Sequence, residues 1–152
     1  MVINLPELNL PAFEPQLLKK EDQVFIFDFL RKKHLVLTPE EWVRQHVVQW
    51  LLSDKSQSPQ LMSIERQITY NNMVKRCDIV VYHPDGSIKL IVECKAPEIK
   101  LTQSSFDQIA RYNLVLKSTF LMVTNGMDHY YCKMDLQNQR YSFLETLPEY
   151  QK

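Results

Sequence analysis

The sequence predicts an α/β domain of the α+β kind, in which helices flank a central mixed β-sheet. Two runs rich in β-branched residues flank Asp85-Gly86, so a β-hairpin is expected within residues 75–97. A helix start stands at Thr38-Pro39-Glu40-Glu41. A second helical pattern covers residues 102–117 and precedes an apolar run at 119–124, an order that favours a buried strand reached by a helical crossover.

Composition favours one domain with one core. The chain has 152 residues, of which 45% are hydrophobic and 24% charged, values that are ordinary for a globular protein. It has no run of 18 apolar residues and no cleavable leader, so we expect a cytoplasmic protein without a membrane partner. Two glycines are too few for a glycine-rich nucleotide cradle. Three cysteines without CxxC spacing argue against a disulfide framework or a zinc site.

Residues 1–23 are expected to form an extended N-terminal arm, and residues 24–152 the single domain. Prolines favour extended backbone in the arm. Apolar side chains can drape it over the domain, namely Leu8, Leu10, Phe13 and Leu17. The apolar run at 24–29 predicts a strand. The basic cluster Arg31-Lys32-Lys33 that follows is either a solvated loop or a contact to a nucleic-acid backbone.

The first helix is expected to begin with Thr38 as its N-cap and Pro39 at the first helical position, with Glu41 completing a capping box. Its apolar residues follow at helical spacing, namely Val43, Val47, Trp50 and Leu51. Capping accounts for Glu41. Glu40 lies at the head of the apolar face and has two interpretations, a carboxylate favoured near a helix N-terminus or one that points toward a site beside the sheet.

The second helix carries a pair of polar residues of interest. Ser104 with Asp107 offers it a capping box. Gln108 and Tyr112 are four residues apart and project from one face, either as a polar stripe that faces water or as donors aimed at phosphate or at a metal site. Further strands are expected at residues 61–69, 128–134 and 140–144, with turns at Asn71-Asn72 and Asn125-Gly126.

The hairpin carries the candidate chemistry. With its turn centred between Asp85 and Gly86, facing residues have numbers that sum to 171, so Asp78 lies opposite Glu93. By the same rule Cys77 faces Cys94, and Arg76 faces Lys95. Alternation puts an apolar set on one face, namely Cys77, Ile79, Val81, Leu90, Val92 and Cys94. It puts Asp78, Glu93 and Lys95 on the other.

Two facing carboxylates are unfavourable in a sheet selected for stability alone. Directly opposite Cβ atoms are about 4.5–5.5 Å apart, so the two charges repel each other. A hard divalent cation offsets the repulsion, because Mg²⁺ takes carboxylate oxygens and keeps several waters. Lys95 would then lie beside the cation. The alternative is a solvated sheet face with scattered charges.

These motifs resemble the PD-(D/E)XK nuclease superfamily, and more narrowly the N-terminal nuclease domain of type I restriction enzyme R subunits. The resemblance rests on Asp78, Glu93-Cys94-Lys95 and Gln108-X-X-X-Tyr112, and it extends over about residues 24–150. Cys77 stands where the superfamily motif has proline, and an apolar substitute is tolerated on an apolar face. R subunits also carry an ATP-driven motor, for which these 152 residues contain no phosphate-binding loop.

The resemblance implies a restriction-endonuclease-like fold and a Mg²⁺-dependent DNA endonuclease, with Mn²⁺ as an alternative cation. Asp78 and Glu93 would hold the metal, with the Cys94 carbonyl as a further ligand. Lys95 would orient or help to deprotonate the attacking water. Gln108 and Tyr112 would support the site and contact the DNA, and Glu40 would be an auxiliary acid.

DNA is the implied partner, together with methylase, specificity or motor subunits of a restriction system. A different class of function stays open: a catalytically silent DNA-docking or protein-interaction module that keeps the nuclease fold. The zero net charge and the missing motor favour it. A nuclease that acts on RNA or on damaged DNA is a third possibility. No recognition helix or zinc finger is evident, so sequence specificity cannot be assigned to this chain.

Overall fold

The computed structural model describes residues 5–147, with only the backbone of Tyr70 and Met73. The elements in chain order are β1 (Leu17–Lys20), β2 (Gln23–Asp28), β3 (Lys33–Val36), α1 (Pro39–Ser53), a 3-10 turn (Pro59–Leu61), β4 (Met62–Tyr70), β5 (Met73–Tyr82), β6 (Ile88–Cys94), α2 (Gln103–Leu116), β7 (Phe120–Thr124), β8 (His129–Asp135) and β9 (Arg140–Leu144). Strands β1 to β3 form a small antiparallel sheet. The large sheet has the order β4-β5-β6-β7-β8-β9.

The large sheet is mixed, and this confirms the predicted α+β class. Its neighbouring strands are antiparallel except for β6 and β7, which run parallel and are joined through α2. Val80, Ile91 and Leu121 pack on the α2 side of the sheet. Ile79, Val92 and Met122 pack with α1 on the opposite side. The sheet therefore lies between the two helices, neither of which is long and apolar enough to cross a membrane.

Helix α1 begins where the sequence predicts. Thr38 Oγ1 accepts the N–H of Glu41 at 3.0 Å, and Pro39 stands in the first turn. The Glu41 carboxylate does not complete the capping box by accepting the Thr38 N–H. It is buried and accepts from Arg44 Nε at 2.9 Å and from Gln45 Nε2 at 3.0 Å. The prediction that capping accounts for Glu41 is therefore wrong, because a buried carboxylate is stabilised more by a buried guanidinium than by an exposed backbone N–H.

Helix α2 is capped two residues earlier than predicted. Thr102 is its N-cap and forms a capping box with Ser105, in which the Ser105 N–H donates to Thr102 Oγ1 at 3.1 Å and the Thr102 N–H donates to Ser105 Oγ at 3.0 Å. The predicted box of Ser104 with Asp107 is wrong. Asp107 lies inside the helix, where its carboxylate accepts from Gln103 Nε2 at 2.9 Å and from the Tyr141 hydroxyl.

The small sheet was only partly predictable. Strand β2 matches the predicted run at 24–29, whereas the sequence does not predict β1 or β3. All four residues of β1 are exposed, so no apolar alternation marks it, and pairing with β2 holds it in place. Residues 5–16 contain no helix or strand. The predicted arm and domain include residues 1–4 and 148–152, which lie outside the described chain, and the division at residue 23 stays a prediction.

An N-terminal segment, residues 5–10, fastens α1 to the turn between β7 and β8. Trp42 Nε1 donates to the Pro6 carbonyl at 2.9 Å. The Asn9 N–H donates to the Gly126 carbonyl at 2.8 Å, and His129 Nε2 lies 2.6 Å from the Asn9 carbonyl oxygen. Leu8 is buried against both α1 and Gly126. This segment therefore connects the head of α1 to the far half of the large sheet.

Gly126→Ala should destabilise the fold by about 1–3 kcal/mol, because Gly126 has φ +89 and a Cβ there would lie 2.9 Å from Leu8 Cδ2 and 3.1 Å from Val43 Cγ2. Gly86→Ala is the matched control, with φ +92 but no atom within 4 Å of the added Cβ. Urea denaturation of both variants measures the difference. Equal losses would show that backbone conformation alone, and not contact with Leu8, sets the requirement for glycine.

Candidate active site

The register of the β5–β6 hairpin follows the predicted sum of 171. The pairs Ile79–Val92, Val80–Ile91 and Val81–Leu90 all obey it, and the register shifts only next to the turn, after Val81. The paired residues end at Ile79–Val92, one position short of Asp78 and Glu93. There the Cys94 N–H donates to Asp78 Oδ2 at 2.8 Å. Asp78 and Glu93 therefore stand where the two strands stop pairing.

The predicted alternation fails at Cys77. Cys77 packs with the residues on the α2 side, whereas Ile79 and Val81 pack on the α1 side. The cause lies across the strand pair, where Glu65 has φ +52 and the β4–β5 pairing passes from Ile64–Ile79 to Arg66–Cys77. A residue in the left-handed region interrupts the pleat as a β-bulge does. Asp78, beside this irregularity, contacts α1 rather than the α2 side.

Asp78 is largely buried, with 18% of its side chain exposed, and it is contacted from two sides. Besides the Cys94 N–H on Oδ2, Arg44 Nη1 of α1 lies 3.8 Å from Oδ1. Burial raises the pKa of Asp78, against the lowering by the Cys94 hydrogen bond and by the charges of Arg44, Lys95 and Lys75. Its negative charge is thus only partly compensated.

Glu93 is more deeply buried, with 7% of its side chain exposed. Lys75 Nζ lies 2.9 Å from Glu93 Oε1, but this oxygen has no well-directed hydrogen bond. Burial raises the pKa of Glu93, Lys75 opposes the rise, and the charge of Asp78 adds to it. The charge of Asp78 thus acts on Glu93, but the prediction that both carboxylates share one face of the sheet is wrong, because Asp78 contacts Arg44 of α1 whereas Glu93 pairs with Lys75 beside Tyr112 of α2.

Lys95 and Glu40 come to the same region from different elements. Lys95 directly follows β6, its N–H donates to the Thr124 carbonyl at 2.8 Å, and its charge lowers the pKa of Asp78, Glu93 and Glu40. Glu40 is exposed at the head of α1. Partial burial and the charge of Asp78 raise its pKa. Both residues are thus within electrostatic reach of Asp78.

The two α2 residues differ in their relation to the carboxylates. Tyr112 donates its hydroxyl to the Val74 carbonyl at 3.3 Å, and Lys75 Nζ lies 5.2 Å from the centre of its ring. Tyr112 therefore reaches Glu93 through Lys75. Gln108 is exposed, and within residues 5–147 it forms no hydrogen bond to either carboxylate. The structure brings Tyr112 to the region and leaves Gln108 at its edge.

A family model matches most of the chain. Residues 39–148 match the model described as type I restriction enzyme R protein N terminus. The chain belongs to this family. Placement among the PD-(D/E)XK nucleases is consistent with the match, which spans α1, both candidate metal ligands and α2. Comparison with curated proteins finds no match.

Membership in the R-protein N-terminal family supports a restriction-enzyme-like role.

The sequence did not predict several charged side chains near the site. Glu65 is the centre of an ion-pair network, with its carboxylate 3.3 Å from Arg31, 2.8 Å from Arg44 and 2.6 Å from Arg76. Arg31 also binds Asp28 at 2.9 Å, so it belongs to this network rather than to a basic loop. The only sequence feature that indicated this network was the spacing of Glu41 and Arg44, three residues apart on one helix. A single glutamate in a strand, such as Glu65, does not indicate an ion pair.

The candidate ligands of this R-protein N-terminal domain fit a hard divalent cation. Asp78 and Glu93 offer carboxylate oxygens, and Glu93 Oε1 already accommodates a positive charge, that of Lys75 Nζ at 2.9 Å. Among residues 5–147 no group of three acidic, histidine or cysteine side chains is arranged to hold a metal. Mg²⁺ does not require three, because one or two carboxylates with waters and substrate phosphates commonly hold it. Burial raises the pKa of the Cys94 thiol well above its ordinary value.

Glu65→Gln should remove stability at neutral pH, and the difference from wild type should shrink in acid. Partial burial alone would raise the pKa of Glu65, but Arg44, Arg76 and Arg31 outweigh it and lower the pKa from 4.5 to about 2. The lowered folded-state pKa means that the stabilisation is present above pH 4.5 and is lost as the pH falls toward 2. Thermal unfolding across this range measures the difference.

The control for this experiment is Glu14→Gln, which removes a carboxylate from an exposed position. It should leave the Tm close to wild type at every pH. A constant difference between wild type and Glu65→Gln from neutral pH down to 2 would contradict the role of the three arginines.

Proposed function

We propose that this chain is a Mg²⁺-dependent endonuclease module that hydrolyses phosphodiester bonds of DNA, with Mn²⁺ as an alternative cation. One observation carries the proposal. Two mostly buried carboxylates, Asp78 and Glu93, lie just beyond the point where β5 and β6 stop pairing, and the charge of Lys95 acts on both. Family membership supports the restriction context in which DNA would be the substrate.

In this proposal Asp78 and Glu93 hold the metal, with the Cys94 carbonyl as a further ligand. Mg²⁺ bound there supplies Lewis-acid activation and neutralises charge that develops on the phosphate. Lys95 orients the attacking water through its ammonium group and stabilises the same developing charge. The water oxygen forms a new bond to phosphorus while the bond to the leaving sugar oxygen breaks, so no covalent enzyme intermediate is formed.

The remaining candidates have supporting roles in the proposal. Tyr112 holds Lys75 beside Glu93 through its ring face. Gln108, exposed on the same helix, is available to contact the DNA strand. Glu40 is an auxiliary acid whose pKa is raised by partial burial and by Asp78. Methylase, specificity and motor subunits of a restriction system are the proposed partners, and family membership supports that context.

A catalytically silent DNA-docking or protein-interaction module is the second candidate, and one observation favours it. Lys75 lies 2.9 Å from Glu93, and Arg44 lies 3.8 Å from Asp78, so cations of the protein itself already compensate both carboxylates in part. Such a module would bind Mg²⁺ or Mn²⁺ in a manner that does not depend on Asp78 or Glu93.

Plasmid nicking in the presence of Mg²⁺ tests the endonuclease proposal. Asp78→Ala, Glu93→Ala and Lys95→Ala should each lower the rate by about 100-fold or more, because each removes a group that acts on charge in the transition state. Glu98→Ala and Lys100→Ala remove exposed charges nearby in sequence and should retain the wild-type rate. Equal nicking by all six proteins would remove the proposal.

Lys75→Met should bind Mn²⁺ about tenfold more tightly than wild type, because it removes a cation that competes for Glu93. Calorimetric titration at pH 8 measures the affinity, with Lys100→Met as an exposed control. Asp78→Ala and Glu93→Ala should lose the binding, which separates the endonuclease from the silent module. Weaker binding by Lys75→Met would indicate that Lys75 supports the site rather than competing for it.

A further inference from the structure

Arg44 connects the candidate metal site to the interior of the protein. It lies on α1, and 7% of its side chain is exposed. Its guanidinium engages the Glu41 carboxylate with two nitrogens, Nε at 2.9 Å and Nη2. Nη1 lies 2.8 Å from Glu65 Oε1 and 3.8 Å from Asp78 Oδ1. A single guanidinium thus faces three carboxylates from three different elements.

Arg44 and the Cys94 N–H contact different oxygens of the Asp78 carboxylate. Asp78 Oδ2 accepts the Cys94 N–H at 2.8 Å, while Oδ1 faces Arg44 Nη1. The terminal torsion of an aspartate is broad, so one hydrogen bond leaves its carboxylate plane free to turn. The attraction of Oδ1 to the Arg44 guanidinium, 3.8 Å away, restricts that rotation. Arg44 itself is fixed in turn, since Glu41 and Glu65 hold its planar fork.

The charges around Arg44 leave Asp78 the least satisfied carboxylate. Three guanidinium groups, those of Arg31, Arg44 and Arg76, face the carboxylates of Asp28, Glu41, Glu65 and Asp78. Glu65 lies within 3.3 Å of all three arginines, whereas Asp78 has its arginine at 3.8 Å. Arg44 is therefore close enough to orient Asp78 without neutralising it fully, and a carboxylate oxygen stays available to a cation.

We propose that Arg44 is a positioning residue that holds the Asp78 carboxylate in the orientation needed for DNA cleavage. The proposal rests on the proposed function. Arg44 acts through Asp78 and does not touch the reacting atoms. Its Nη1 nitrogen, shared between Glu65 and Asp78, transmits the rigidity of the ion-pair network to the site.

Arg76 offers the comparison that distinguishes positioning from stabilisation. Like Arg44, it binds Glu65, at 2.6 Å. Unlike Arg44, its side chain is 70% exposed, and no contact joins it to Asp78 among the described residues. Loss of Arg76 should therefore weaken the network while leaving Asp78 oriented.

The first measurement is amide hydrogen exchange of Cys94 by NMR on the full chain, because this N–H reports directly on its bond to Asp78. Exchange should accelerate about tenfold in Arg44→Met and at least as much in Asp78→Ala, the positive control. In Arg76→Met it should stay within about twofold of wild type. Arg44→Lys, which keeps the charge but loses the fork, should lie between wild type and Arg44→Met.

The second measurement is plasmid nicking at saturating Mg²⁺. Arg44→Met should lower the maximal rate about tenfold or more while the Mg²⁺ concentration for half-maximal rate changes much less. Arg76→Met should retain the wild-type rate. If Arg44→Met does not fold, Arg44→Lys and Glu65→Gln, which loses one of the two carboxylates that hold the fork, take its place in both measurements.

The two readouts fail separately. An unchanged Cys94 exchange rate in a folded Arg44 variant overturns the proposal, and so does faster exchange with undiminished cleavage. Equal effects of Arg44→Met and Arg76→Met also overturn it, because they would reduce Arg44 to a stabilising residue. If wild type shows no cleavage that depends on Asp78, the proposed function fails and the catalytic part of this inference falls with it, while the exchange data still decide whether Arg44 holds Asp78.

Discussion

Burial of negative charge where β5 and β6 stop pairing is the constraint to which the surrounding structure responds. Asp78 and Glu93 are both mostly removed from water, and an isolated buried carboxylate is strongly unfavourable. Compensation comes from Arg44 on α1, Lys75 on β5 and the Cys94 N–H on β6. Apolar residues would fill such a site with equal or greater stability, so folding stability alone does not account for these charges.

Much of the arrangement was predictable from the sequence, because it follows from local rules. The Asp85-Gly86 turn predicted the sum of 171, which holds from Val81–Leu90 to Ile79–Val92, the pair next to Asp78 and Glu93. The Thr38 cap predicted the start of α1. A helical pattern followed by an apolar strand predicted the crossover that joins the parallel strands β6 and β7. The match to the R-protein N-terminal family agrees with this outline.

The parts that were missed depend on contacts between residues far apart in the chain. Glu65 adopts φ +52, and three arginines from other parts of the chain surround its carboxylate. The residues next to Glu65 in the sequence predict neither the backbone angle nor the ion pairs. Strict alternation therefore misplaced Cys77, which lies opposite the irregularity. Glu41 satisfied a capping pattern, yet burial gave it Arg44 as a stronger partner. Local patterns predict the backbone well and the choice of ionic partner poorly.

The docking of the N-terminal segment also bears on when the site can be completed during translation. Asn9 contacts His129, a residue 120 positions later in the chain. Contacts between residues so far apart in the chain form slowly, because the intervening loop has to close first. The head of α1, with Glu40, is fastened only once β8 has left the ribosome. A nascent chain can therefore complete this arrangement of acidic groups only after β8 has emerged.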